Sequence, residues 1–156
     1  VSANRVWLSL GCARRGLPSL RSYHTWLDAV TRATRQRKPV AVSLRICGPE
    51  EARKLNRDFR HQDYVPNVLS FPADALCDAP TRFLGDIAIC AEVAASEAIA
   101  QGKALRDHHA HLFVHGVLHL MGYDHEDDAE ASVMEALEKR ILAGLGIADP
   151  YAPPTD

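Results

Sequence analysis

His115, His119 and His125 stand four and six positions apart in the run His115-Gly-Val-Leu-His119-Leu-Met-Gly122-Tyr-Asp-His125. Residues four apart lie one above the other on a helix face, so the first two imidazoles can converge on a single ion about 2 Å from each nitrogen. Gly122 can leave the helix with φ > 0 and turn the chain back, which brings His125 round as a third ligand. Three neutral imidazoles suit Zn²⁺. Three protein ligands leave a fourth position open to water, the arrangement of catalytic rather than structural zinc. Zinc lowers the pKa of such a water to about 7 and polarises carbonyl or phosphoryl oxygens, so hydrolysis is the expected reaction type.

Histidines on a helix face are more often satisfied by ordinary hydrogen bonds than by metal, but here three share one spaced motif with a turn glycine. His108, His109 and His111 lie close by, and a trio of His111, His115 and His119 is conceivable. Such a straight row spans about 12 Å of helix axis, too long for one tetrahedral ion. The chosen spacing also occurs in metzincin peptidases, His-Glu-x-x-His-x-x-Gly-x-x-His, where the glutamate is the general base. Gly116 occupies that place here. A peptidase of that type would lack the group that activates water, so a phosphodiester is the better substrate. An RNA 2′-hydroxyl lies next to its phosphate, and zinc with a cationic side chain can stabilise the developing charge. Asp124 and Glu126 flank His125 as a possible base or ligand partner, although acids beside a helix start are more often caps.

The elements that position these residues follow from periodicity. Val6 to Cys12 reads as a strand, and Leu20, Tyr23, Trp26, Leu27 and Val30 recur at helical spacing in a helix that Lys38-Pro39 stops. Val40 to Cys47 is the clearest strand. Gly48-Pro49-Glu50-Glu51 then opens a short helix to about Phe59. Asn67 to Phe71 and Leu84 to Cys90 read as two strands that pair across a long loop. Helices follow over Ala91 to Ala100, Leu105 to Met121 and Asp127 to Leu145, each ended near a glycine. The expected architecture is α/β of the α+β kind: a small mixed β-sheet of about four strands with helices packed over it and the zinc site at a helix-turn in the C-terminal half. Residues 1–150 are expected to form one zinc-dependent domain, and Tyr151 to Asp156 a loose tail.

With 156 residues, 47% of them hydrophobic, the chain can bury one sizeable core but is short for two. No apolar run approaches a membrane span, and the first residues lack the order of a secretory leader, so a cytoplasmic location is expected. Cys12, Cys47, Cys77 and Cys90 are widely separated and read as reduced, mostly core residues rather than a disulfide framework. The overall charge of −2 is divided unevenly. Residues 1–60 hold 13 of 18 Lys and Arg but 4 of 20 Asp and Glu, so that part could meet a polyanion if folding gathers its charges on one face.

The histidine motif resembles the signature of the YbeY endoribonucleases, the rRNA maturation factors of bacteria. Leu55-Asn-Arg-Asp-Phe-Arg60-His-Gln-Asp63 with Asn67-Val-Leu-Ser-Phe-Pro72 is similar to that family's central block, and Leu84-Gly-Asp86-Ile-Ala-Ile-Cys90 to its next strand. The likeness spans roughly residues 40 to 145. It departs at Pro66, where the family pattern as a rule carries Thr. The resemblance implies a zinc-dependent, single-strand-specific endoribonuclease acting on 16S rRNA, notably its 3′ end, and in ribosome quality control, with the small ribosomal subunit as partner. It implies His115, His119 and His125 as ligands of one zinc ion and Arg60 as the functional arginine. Taken alone, Arg60 reads as a solvated surface residue; its fixed charge and planar donors also suit a phosphate clamp. Two other functions stay open: a zinc peptidase with its base from elsewhere, and a non-catalytic ribosome-assembly factor with structural zinc.

Overall fold

The computed structural model describes residues 3–74 and 79–152. The elements run β1 (Arg5–Gly11), α1 (Leu20–Ala33), β2 (Val40–Cys47), α2 (Pro49–Arg60), β3 (Val68–Pro72), β4 (Arg82–Cys90), α3 (Ala91–Ala100), α4 (Leu105–Leu120) and α5 (Asp128–Gly144). The four strands form one mixed sheet in the order β1-β2-β4-β3. β1, β2 and β4 are parallel, while β3 pairs antiparallel with β4, matching Val68 to Ile89 and Pro72 to Gly85. Parallel neighbours need long crossovers, and α1 supplies the one between β1 and β2.

Strand alternation decides which face each helix covers. Val42, Leu44 and Ile46 of β2 join Leu84, Ile87 and Ile89 of β4 in the main core, together with apolar residues of α1, α4 and α5. Cys47 and Cys90 instead meet Ala52 of α2 in a second, small cluster. Burial pushes the Cys47 thiol up to about 12, so it stays an uncharged core group. Cys77 lies outside the described residues.

The helix expected to run to Lys38 ends earlier, at Ala33. Thr34 Oγ1 donates to the Val30 carbonyl at 2.8 Å, and Arg35 takes φ 56°, a left-handed cap that closes the helix before the proline is reached. β4 begins two residues before Leu84 because Arg82 and Phe83 pair with Val40 and Ala41. No described helix is long and apolar enough to cross a membrane.

α4 is the central helix. From His108 to Leu120 every residue is buried except His111, His115 and His119. Its sides are taken up by Phe113, Val114, Val117 and Leu118, all fully enclosed, so the one stripe that reaches solvent is a row of imidazoles.

Candidate functional site

The end of α4 folds as a Schellman turn. The Tyr123 N–H donates to the Leu118 carbonyl and the Gly122 N–H to the His119 carbonyl, both at 3.1 Å, with Gly122 at φ 101°. The next residues are pinned locally: Asp124 Oδ1 accepts the His125 N–H at 2.7 Å, and the Asp127 carboxylate caps α5 by accepting the Glu130 N–H at 2.8 Å. The turn brings His125 back over the stripe. Ring centroids stand 6.1 Å apart for His115 and His119, 5.8 Å for His115 and His125, and 5.6 Å for His119 and His125.

Three rings bound to one tetrahedral ion at about 2 Å would have centroids roughly 5 Å apart, so a small contraction suffices for a shared ion. The donor set is of the right chemistry. Burial, and then the neighbouring His115, hold His119 below the ordinary histidine pKa, which keeps a lone pair available at neutral pH. Donor atoms of His119, Asp124 and His125 all lie within 4.8 Å of one another, so in this tightest grouping Asp124 rather than His115 is the third member. Asp124 Oδ1 is 3.9 Å from His119 Nε2 and 4.0 Å from His125 Nδ1. The donor types fit a divalent ion of the zinc kind, with His119 and His125 already close and the His115 ring 6.1 and 5.8 Å from them by centroid.

His111, the alternative third ligand, faces a carboxylate instead: its Nε2 lies 3.3 Å from Glu138 Oε2. His108 is also spoken for, with Nε2 2.9 Å from Glu97 Oε1. Asn67 Nδ2 donates to the same carboxylate at 3.2 Å, which ties the entry of β3 to α3 and α4 despite Pro66 before it.

Arg60 is the last residue of α2, and the αL conformation of His61 (φ 59°) turns the chain away there. The guanidinium donates to the Ser70 carbonyl of β3 and stands 5.4 Å from the centroid of the Phe71 ring. Arg60, Ser70, His115, His119 and His125 all line one cleft of about 430 Å³, with Asn56, Tyr64 and Asn67 among its other walls. Four residues singled out in the sequence thus come together from two helices and a turn.

A family model described as Endoribonuclease YbeY matches residues 19–146. The chain belongs to the endoribonuclease YbeY family. A relative named Endoribonuclease YbeY from Alkalilimnicola ehrlichii is 53% identical over 140 residues, covering 88% of this chain and 84% of its own. Another of that name, from Stenotrophomonas maltophilia, is 51% identical over 151 residues, covering 94% and 92%. The solution structure of TM1509 from Thermotoga maritima shares the fold, with a TM-score of 0.57 at 20% identity over 95% of this chain and 99% of that one. Membership sets the chain among hydrolases named for cutting RNA phosphodiesters.

Two features of the YbeY-family site escaped sequence reasoning. Glu138, on α5, is 0% exposed, and its Oε1 accepts from His115 Nδ1 at 2.5 Å. Its Oε2 accepts the Tyr151 hydroxyl at 2.5 Å. Burial raises the Glu138 pKa, but the close His111 ring and the hydrogen bonds from His115 and Tyr151 outweigh it and hold the carboxyl down at about 2. The signal was present: Met134, Leu137, Ile141 and Leu142 mark the buried face of α5, and Glu138 is an acid standing within it. Tyr151 was expected in a loose tail; residues 153–156 of that tail lie outside the described residues.

Proposed function

We propose that residues 1–150 form one endoribonuclease domain that binds a single Zn²⁺ through His115, His119 and His125 and cuts single-stranded RNA. In this reading Arg60 and the three histidines are its catalytic residues. Its substrate is 16S rRNA, at the 3′ end, during maturation and quality control of the small ribosomal subunit in the cytoplasm. The observation that carries the proposal is the cleft shared by Arg60 and the three histidines, in a chain that belongs to this family.

A divalent ion in the cage supplies Lewis acidity, which acidifies water and offsets charge on a phosphoryl oxygen. The protein's own residues do the rest. One N–H of Arg60 is held by the Ser70 carbonyl, which fixes the plane of the guanidinium and leaves its other donors for a phosphate. The ring of Phe71 backs that plane. Asp124 holds His125 through its backbone, so the third imidazole keeps its place in the turn.

The test is cleavage of a single-stranded RNA carrying the 3′ end of 16S rRNA by wild type, His119→Ala and Arg60→Ala, purified identically. Cutting by wild type alone supports one nuclease site containing both residues. Equal cutting by all three identifies a contaminating ribonuclease. Protein cleavage without RNA cleavage would favour the peptidase.

A further inference from the structure

We infer that Glu138 and Tyr151 are positioning residues for the ligand His115, so that the segment after α5 helps set how tightly the site holds its ion. The inference rests on reading His115 as a ligand.

A carboxylate with no exposed surface is costly unless each of its oxygens is partnered. Both oxygens of Glu138 are. His115 Nδ1 donates to Oε1, which fixes the tautomer of the ring and leaves Nε2 with its lone pair. The ring is then held facing His119 and His125, whose centroids are 6.1 and 5.8 Å away. A carboxylate behind a metal-binding histidine orients it and makes it more basic.

Tyr151 fixes the carboxylate in turn. Its hydroxyl donates to Oε2 from outside the helices, and His111 Nε2 stands 3.3 Å from the same atom. The segment is itself tied down. Asp149 Oδ1 accepts the Tyr151 N–H at 2.8 Å, while Lys139 Nζ lies 3.7 Å from Asp149 Oδ2 and 5.8 Å from the Tyr151 ring centroid. A chain of contacts therefore runs from the surface of α5 through Tyr151 and Glu138 to His115. Tyr151 is 40% exposed, and with its hydroxyl removed His111 Nε2 still stands 3.3 Å from Oε2, so the change loosens the carboxylate without emptying the core. That separates positioning from folding.

The experiment measures zinc affinity by chelator competition, beside the melting temperature of the metal-free protein, for wild type, Glu138→Gln, Tyr151→Phe and His115→Ala. Glu138→Gln is expected to weaken zinc binding by about 10- to 100-fold, and Tyr151→Phe by a smaller factor, with the metal-free Tyr151→Phe melting like wild type. If His115→Ala loses the ion while Glu138→Gln and Tyr151→Phe bind as wild type does, the positioning role is overturned and the ligand assignment stands. If His115→Ala binds zinc as tightly as wild type, the ligand assignment fails and this inference falls with it. Weakened binding by Tyr151→Phe that only follows a lowered metal-free melting temperature would make the role structural and overturn the inference.

Discussion

A Cβ on Gly116 would stand 3.2 Å from Cδ1 of Ile87, so α4 touches the sheet at the position where a metzincin carries its glutamate. Ser70 Oγ lies 3.3 Å from the same point. A side chain there makes the Ile87 and Ser70 side chains give way by a few tenths of an ångström and starts out against the sheet. The close approach of helix to sheet and the peptidase base are thus competing uses of one position, and this chain has the first.

Gly116→Glu is accordingly expected to destabilise the protein, by about 1–3 kcal/mol for overpacking and more for the enclosed carboxylate. It should confer no peptidase activity. Thermal unfolding and a casein digestion assay check the two halves separately. A stable Gly116→Glu protein that cleaves casein would reopen the peptidase reading.

Arg60 lies outside the cage, so its replacement should separate metal binding from catalysis. Arg60→Ala is expected to retain wild-type zinc content but to lose on the order of 10²- to 10³-fold in RNA cleavage, the usual effect of removing one preorganised donor to developing charge. Arg60→Lys should recover only part of that loss, because an ammonium cannot hold the Ser70 carbonyl and a phosphate in one plane. Metal analysis of the same preparations provides the control. Loss of zinc from Arg60→Ala would place Arg60 in the structural support of the cage instead.

The histidine cage was legible because every part of it is local. Four-residue spacing, a turn glycine and a third histidine lie within eleven residues, and Gly122 takes the positive φ that the turn requires. β2 and α3 match their sequence boundaries for the same reason: Val40 to Cys47 follows a proline, and Ala91 to Ala100 stops at a glycine turn. The strand order was not legible, since β1 and β4 both flank β2 through partners far away in sequence. Glu138 sits 23 residues from His115, and no periodicity in α4 points to it. The basic character of residues 1–60 is also partly answered within the fold: Arg45 pairs with Glu51 at 2.9 Å, Arg53 with Asp63 at 2.7 Å and Arg57 with Asp58 at 3.6 Å. Such exposed pairs reduce the field available to a polyanion more than they stabilise the fold.

Removing the metal should abolish cleavage and leave the fold in place. The core around α4 is assembled from Tyr23, Trp26, Phe113, Leu118 and Leu142, none of which lines the cleft, and the three candidate ligands are 28%, 28% and 57% exposed. EDTA-treated protein is expected to keep its far-UV circular dichroism and a cooperative melt, lowered only by the binding energy of the ion. His119→Ala should behave like the EDTA-treated wild type, with zinc lost and the melt retained. An unfolded metal-free protein would instead favour a structural role for zinc.

The last expectation concerns a pair far from the cleft. The Tyr23 hydroxyl lies 3.1 Å from His109 Nδ1, and both side chains are fully buried. His109 Nε2 has no hydrogen-bond partner among the described residues, so a proton added to the ring would have nothing to offset it. Burial, with a smaller contribution from His108, pushes the His109 pKa down to about 4, and burial raises the Tyr23 pKa, which keeps the hydroxyl as donor and the neutral ring as acceptor. In the unfolded chain the same ring titrates near 6.5. Between these values the unfolded state binds more protons, so this contribution is complete above about pH 6.5 and is lost as the pH falls towards 4, by up to about 1.4 kcal/mol per pH unit. Urea unfolding of the metal-free protein should therefore show a midpoint that declines across that window, and His109→Leu should flatten the decline at some constant cost from the stranded Tyr23 hydroxyl. His108 and His119, also held below their ordinary values, contribute to the slope that remains, and Glu138, held down at about 2, adds to it as the pH nears 4. An unchanged slope in His109→Leu would show that the ring is not the group whose protonation opens the core.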